Sequence, residues 1–157
     1  MPQPLVGQIV PEFTLLSTAG TWVRVSDYRG KRNLILIFCG AGNSASVRWV
    51  VRLVSELYAE FAAEEAEVFA LVHGAGDEAE DLERSCNPLF PVLPDKERRA
   101  HELFGVRSSE RHCFPAVCVI DRFGELRDVS RPAESQRSSF ARDILEWVRY
   151  INLECPE

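Results

Sequence analysis

The feature that most constrains this chain is a continuous apolar run at residues 34–39, followed by a glycine-containing break and an amphipathic helix. An unbroken apolar run of this length is typical of a strand buried on both faces of a sheet. Residues 40–43 (Gly-Ala-Gly-Asn) end the strand, and apolar residues then recur every three or four positions from Val47 to Phe61. The order of these elements predicts an α/β fold in which the helix covers one face of a sheet.

The rest of the chain alternates strands and helices in the same manner. A hairpin is predicted near the N-terminus, since two short strand patterns flank a Ser-Thr-Ala-Gly turn. Further strands are predicted at 68–72, 90–93, 116–120 and 125–129, and further helices at 77–83, 96–104 and 138–153. We therefore expect a central mixed β-sheet flanked by helices on both faces, with an N-terminal β-hairpin.

Length and charge exclude several classes of protein. A chain of 157 residues corresponds to one domain, here residues 1–157. The net charge of −6 argues against nucleic acid or an anionic membrane as the main partner. The start of the chain has neither a basic segment nor an apolar segment of the secretory type, and the longest apolar run is too short to span a membrane. A cytoplasmic protein is expected.

The cysteines do not form the framework of a disulfide-rich domain. There are five, an odd number without regular spacing: Cys39, Cys86, Cys113, Cys118 and Cys155. Reduced thiols are therefore expected. The sequence has no Cys-x-x-Cys and no pair of histidines at metal-binding spacing, so neither a metal nor another cofactor is predicted.

Several segments, taken in order, resemble the peroxiredoxins of the alkyl hydroperoxide reductase and thiol-specific antioxidant (AhpC/TSA) family. They are Gly7-x-x-x-Pro11-x-Phe13, Ser-Asp-Tyr-Arg-Gly-Lys at 26–31, Phe-Pro-Val-Leu-Pro-Asp at 90–95 and the hairpin at 115–124. The resemblance extends from Val6 to the last helix and implies a thioredoxin fold. It also implies a thiol-dependent antioxidant or oxidoreductase activity, with a peroxide or a protein or small-molecule thiol as partner. Peroxiredoxins often form homodimers, which leaves a homodimer open here.

The residues at the family's catalytic positions differ from the family pattern. A helix N-terminus lowers the pKa of a thiol, and peroxiredoxins place the peroxide-attacking cysteine in the first turn of this helix, three residues after a threonine. Those two positions here are Ser44 and Val47, of which Ser44 can replace the threonine but Val47 cannot act as a nucleophile. The family arginine, six residues before the hairpin aspartate, is here Pro115, which resembles the cis-proline of thioredoxin-like proteins.

Other cysteines are candidates for the missing nucleophile. Cys39 ends the first buried strand, and Cys113 lies two residues before Pro115; either could be activated by His73 or His112. Cys39 has an alternative interpretation as a small core residue. We expect Cys118 to neighbour Cys39 on the adjacent strand, as a thiol rather than a disulfide partner. Cys86 and Cys155 are either resolving thiols or incidental cysteines.

Two functional hypotheses follow from these observations. The first is a peroxiredoxin-like thiol oxidoreductase whose nucleophile has moved to Cys39 or Cys113. The second is a non-catalytic thioredoxin-fold binding module that has kept the groove. The residues expected to line that groove, beside Ser44, Val47 and Pro115, are Gly42, Asn43, His73 and Phe114.

Overall fold

The computed structural model describes residues 3–41, 44–74, 77–106, 115–132 and 138–154. Within these residues, five strands form the main sheet and two more form a separate antiparallel hairpin. None of the helices in the described ranges combines the length and the apolar character needed to cross a membrane. The strands in chain order are β1 (Thr14–Leu16), β2 (Trp22–Arg24), β3 (Asn33–Phe38), β4 (Ala66–Val72), β5 (Val92–Pro94), β6 (Ala116–Ile120) and β7 (Leu126–Ser130).

The sheet is mixed, and its centre is the apolar run that the sequence predicted as a buried strand. The strand order is β5-β4-β3-β6-β7, with β3, β4 and β5 parallel and both β6 and β7 antiparallel to their neighbours. Every residue of β3 is buried. The predicted α/β architecture, a central mixed sheet with an N-terminal hairpin, is confirmed.

Helices and the hairpin cover the two faces of this sheet. The helices are α1 (Ala45–Glu56), α2 (Tyr58–Ala63), α3 (Asp77–Cys86), α4 (Arg99–Leu103) and α5 (Phe140–Glu154). Buried side chains of α1, α2, α3 and α5 pack together on one face. Ala100 of α4, with the following Phe104 and Val106, packs on the other face beside Phe13 and Val23 of the hairpin region. The prediction of helices on both faces is confirmed.

Two helix boundaries differ from the sequence-based expectation. The helix expected to reach Phe61 is divided at Leu57, whose ψ of 10° departs from helical geometry and separates α1 from α2. The helix expected from residue 96 begins at Arg99, because Arg98 has a left-handed φ of 57°. The Asp95 side chain then accepts hydrogen bonds from the first amides of α4, those of Ala100 and His101.

Cys39 and Cys118 are not neighbours, contrary to the sequence-based expectation. Across the β3–β6 pair, Cys118 lies opposite Leu36. Cys118 packs on the hairpin side of the sheet, whereas Cys39 packs on the side of α1. Successive side chains of a strand point to opposite faces, and the register places the two thiols on different faces. A disulfide between them would need to pass through the sheet and is excluded.

Candidate functional site

The candidate site lies at the edge where the parallel strands β3, β4 and β5 end. The backbone N–H of His73, just after β4, donates to the carbonyl of Gly40 at 2.8 Å. Gly40 has a φ of 58°, a left-handed conformation that suits glycine. Pro115 is buried and precedes β6, whose first residue, Ala116, pairs with Phe38. The structure thus places Gly40, His73 and Pro115 at one edge of the sheet.

Other predicted members of the groove lie outside the described residues. They are Gly42, Asn43 and Phe114, together with the candidate nucleophile Cys113 and its neighbour His112. Cys155 also falls outside these ranges.

Ser44 and Val47, the two positions that the resemblance assigns to the peroxiredoxin active site, both make structural contacts at the start of α1. Ser44 is the N-cap residue, and its hydroxyl oxygen accepts a hydrogen bond from the Val47 N–H at 3.1 Å. Val47 is 1% exposed and belongs to the core formed by α1 and the sheet. The position to which the resemblance assigns the peroxiredoxin nucleophile therefore holds an apolar core side chain.

The described cysteines lie in surroundings that disfavour a thiolate. Cys39 is 1% exposed, and burial, reinforced by the neighbouring Cys86, raises its pKa. Burial also raises the pKa of Cys118 to about 12. Cys86, at the end of α3, is half-buried, with its Sγ 3.8 Å from the Arg48 carbonyl oxygen. Because the thiolate is the nucleophilic form, the thiols of Cys39 and Cys118 are unreactive at neutral pH in this conformation.

A buried pair that the sequence analysis missed lies under the end of β3. His101 and Asp95 are each 1% exposed, and His101 Nδ1 lies 2.8 Å from Asp95 Oδ2. On the other side of the ring, His101 Nε2 accepts a hydrogen bond from the Gly40 N–H at 3.2 Å. Burial alone would raise the pKa of Asp95, but hydrogen bonds from the side chain and backbone of His101 and from the Ala100 amide hold it below its usual value.

The His73 ring faces this buried pair. It packs edge-on against His101 with ring centroids 5.6 Å apart, and His101 in turn packs edge-on against Phe38 at 5.1 Å. Burial first, and then electrostatic interactions with His101 and Arg98, lower the pKa of His73 despite the opposing effect of Asp95 and Glu78. His73 is therefore a neutral imidazole at neutral pH, half-buried at the edge of the sheet. A neutral imidazole both donates and accepts a hydrogen bond.

Among the described residues, no cluster of three or more His, Cys, Asp or Glu side chains is arranged to hold an ion.

A separate cleft of about 570 Å³ opens between the hairpin and the region of α3 and β5. Its walls include the exposed Trp22 and Leu16 together with charged side chains of both signs, among them Asp77, Glu80 and Lys96. Neither Ser44, His73 nor Pro115 lines it. This cleft is thus distinct from the groove predicted from the sequence.

Comparisons with known proteins agree with this architecture. The chain is similar to peroxidoxin BcpB from Mycobacterium tuberculosis, with a TM-score of 0.78 and 21% identity over 95% of this chain and 99% of that one. It is also similar to a PrxQ mutant from Xylella fastidiosa, with a TM-score of 0.79 and 14% identity over 96% of this chain and 98% of that one. A third similar structure is the thioredoxin domain of a thiol-disulfide oxidoreductase from Bacteroides vulgatus, with a TM-score of 0.72 and 12% identity over 92% of this chain and 98% of that one. These likenesses confirm the thioredoxin fold. No curated protein sequence matches the chain. The sequence profile of the AhpC/TSA family matches residues 6–129, and the chain therefore belongs to the AhpC/TSA family.

Proposed function

We propose that this protein is a non-catalytic AhpC/TSA member that binds its ligand at the C-terminal edge of its parallel strands. The observation that carries this proposal is the packing of Val47 in the core, at the position where peroxiredoxins carry the attacking cysteine. The burial of Cys39 and the raised pKa of its thiol support it further. The fold of the family is retained, whereas a reactive thiol at its usual place is not.

The retained edge offers hydrogen-bonding groups suited to a small polar ligand. His73 presents a neutral, half-buried imidazole beside Gly40. A thiol or a hydroperoxide donates a weak or moderate hydrogen bond, which a neutral imidazole can accept. We therefore propose a peroxide or a protein or small-molecule thiol as the ligand class, in keeping with the family.

A second candidate function is a thiol-dependent oxidoreductase that uses Cys113. Membership of the AhpC/TSA family favours it, as does the position of Cys113, two residues before the buried Pro115 at the candidate site. In this alternative the nucleophile approaches the same edge from the segment before β6 rather than from α1.

Thiol reactivity separates the two functions. The reduced protein would be treated with substoichiometric hydrogen peroxide, trapped with an alkylating agent, and analysed by intact mass and peptide mapping. We expect slow oxidation scattered over the cysteines, no faster than in the unfolded chain, because Val47 supplies no thiol and the buried Cys39 and Cys118, with their raised pKa, supply little thiolate. Rapid oxidation confined to Cys113 and abolished by Cys113→Ser, but not by Cys86→Ser, would overturn the binding proposal in favour of the oxidoreductase.

Binding itself requires a second measurement, with glutathione as the small-molecule thiol probe. Titration of the ¹⁵N-labelled protein should shift the backbone amides of Gly40, Ala41 and His73, and His73→Gln should weaken the response. Shifts confined to the cleft beside Trp22 would place the site elsewhere and contradict the proposal.

A further inference from the structure

The Asp95–His101 pair is a buried titratable group that the proposed binding function does not itself use. Two ionisable side chains that are almost fully buried need specific partners, since burial without them is costly. Asp95 has three: the backbone N–H groups of Ala100 and His101 and the His101 ring. The ring of His101 has a partner on each side, since its other nitrogen accepts from the Gly40 N–H.

These contacts determine which ring nitrogen of His101 carries the proton. The Gly40 N–H is a donor and can have no other role, so Nε2 must be unprotonated to accept from it. In a neutral imidazole the proton then resides on Nδ1, which donates to the Asp95 carboxylate. The carboxylate accordingly fixes both the tautomer and the orientation of the ring, and the ring in turn holds the Gly40 amide.

We infer that the Asp95–His101 pair is a positioning device that holds Gly40, and with it the start of the β3–α1 loop, only while His101 is neutral. A proton on Nε2 would place two N–H donors against each other at the present 3.2 Å separation, and the hydrogen bond to Gly40 would be lost. The consequence for ligand binding rests on the function proposed above, because Gly40 belongs to that candidate site. The effect on Gly40 itself does not depend on any ligand.

Several charged and titratable groups surround this device. Asp95 follows β5 and contacts His101 directly, and His73 approaches it from the end of β4. Arg98, just before α4, and Glu78, on α3, act on His73 through their charges. On the side of β3, the ring of His101 meets Phe38 and the Gly40 backbone, neither of which titrates. The pKa of His73 is thus set by groups around the Asp95–His101 pair, while Asp95 stays ionised to well below neutral pH.

Nuclear magnetic resonance of the intact wild-type protein tests the tautomer without any substitution. A long-range ¹H–¹⁵N spectrum of the histidine rings should show His101 protonated at Nδ1 and unprotonated at Nε2 at neutral pH. On acidification, the Gly40 amide should lose protection from hydrogen exchange with the same midpoint as the His101 ring. An Nε2-protonated ring, or a Gly40 amide that does not follow the ring titration, would overturn the inference.

Substitutions at His101 separate a positioning role from a merely space-filling one. His101→Leu keeps an apolar side chain in the core but leaves the Gly40 N–H without its acceptor, so exchange of that amide should accelerate by about tenfold. His101→Gln supplies an amide oxygen near the place of Nε2 and cannot gain a proton, so protection should persist in acid as well as at neutral pH. Equal Gly40 protection in wild type and His101→Leu would refute the inference.

A matched control and a binding readout complete the test. His73→Gln removes the ring that touches His101 but retains the backbone bond from residue 73 to the Gly40 carbonyl, so Gly40 should stay protected at neutral pH. If glutathione binds none of these proteins, the proposed function fails while the exchange data still decide the role of His101. If glutathione binds the wild-type protein, we expect it to bind His101→Leu more weakly. Unchanged affinity would contradict the claim that His101 positions Gly40 for ligand binding.

Discussion

The two ends of the central strand β3 both contain buried polar networks, but the networks differ in kind. At the N-terminal end, Asn33 is 1% exposed, and its amide nitrogen donates to Asn152 Oδ1 at 2.9 Å and to the Glu64 carbonyl. Its amide oxygen accepts from the Arg122 N–H at 3.0 Å. At the C-terminal end, the comparable role of satisfying a backbone amide falls to His101, which is in turn held by Asp95.

The difference lies in what acid can do to each network. Primary amides do not titrate in the physiological range, so Asn33 joins the helices α2 and α5 to the β6–β7 turn regardless of pH. A histidine changes from acceptor to donor at Nε2 when it gains a proton. The hydrogen bonds of Asn33 at the N-terminal end of β3, the fixed end, thus do not depend on pH. The hydrogen bond between His101 and Gly40 at the C-terminal end, the conditional end, forms only while Nε2 is unprotonated. The conditional end is the one beside the candidate site.

The largest effect is expected from Asn33→Leu. This change removes the side-chain hydrogen bonds of Asn33 and leaves the Arg122 N–H and the Asn152 oxygen, both on half-buried residues, without this partner. We expect a loss of about 2–4 kcal/mol in the free energy of unfolding, measured by urea denaturation.

The same variant tests whether this end of the strand is independent of pH. Its destabilisation should be equal at about pH 5.5 and about pH 7.5, because none of the lost partners titrates between those values. A loss below about 1 kcal/mol, or one that depends on pH, would break the contrast between the two ends.

The difference between the two ends also marks where sequence-based inference succeeded. The apolar run at 34–39 was sufficient to place β3 at the centre of the sheet, because only a strand covered on both faces tolerates such a run. Helix α1 begins at Ala45, shortly after the glycine-containing break in the sequence, since the start of a helix depends on local sequence. Local patterns of this kind predict which elements form, although they did not predict the break at Leu57 or the start of α4 at Arg99.

The Asp95–His101 pair could not be found in that way. Its contact with Gly40 joins residues that are 61 positions apart, and it depends on β5 ending beside β4 and on the left-handed turn at Arg98. The one signal in the sequence was a histidine in a short predicted helix, next to Ala100 and close to Phe104. The prediction that Cys39 and Cys118 are neighbours was wrong for a related reason. Which side chains of two paired strands share a face depends on the strand register, which the sequence does not specify.

A smaller effect is expected from Ser44→Ala at the conditional end of the strand. The hydroxyl of Ser44 satisfies the Val47 N–H at the start of α1, and its removal should lower the free energy of unfolding by about 1 kcal/mol. Ser44→Asp keeps an N-cap acceptor and should retain most of the stability. If Ser44→Ala has no effect on urea denaturation, or Ser44→Asp is no better than Ser44→Ala, this cap does not stabilise the loop end of α1.

The smallest effect we expect is a change in the pH dependence of stability on replacing His73 by Gln. The pKa of His73 is lowered in the folded protein, first by burial and then by His101 and Arg98, so the unfolded chain takes up its proton at a higher pH than the folded one. Stability should therefore fall as the pH decreases below the unfolded pKa of about 6.5, until the folded pKa is reached.

In His73→Gln this contribution is absent. The free energy of unfolding, measured by urea denaturation, should therefore decline less steeply between about pH 7.5 and pH 5 than it does in wild type. If the pH dependence of the unfolding free energy equals that of wild type, groups other than His73 cause the acid sensitivity of the protein. Asn33→Leu is expected to leave this pH dependence unchanged, so one set of unfolding curves compares the N-terminal end of β3 with its C-terminal end.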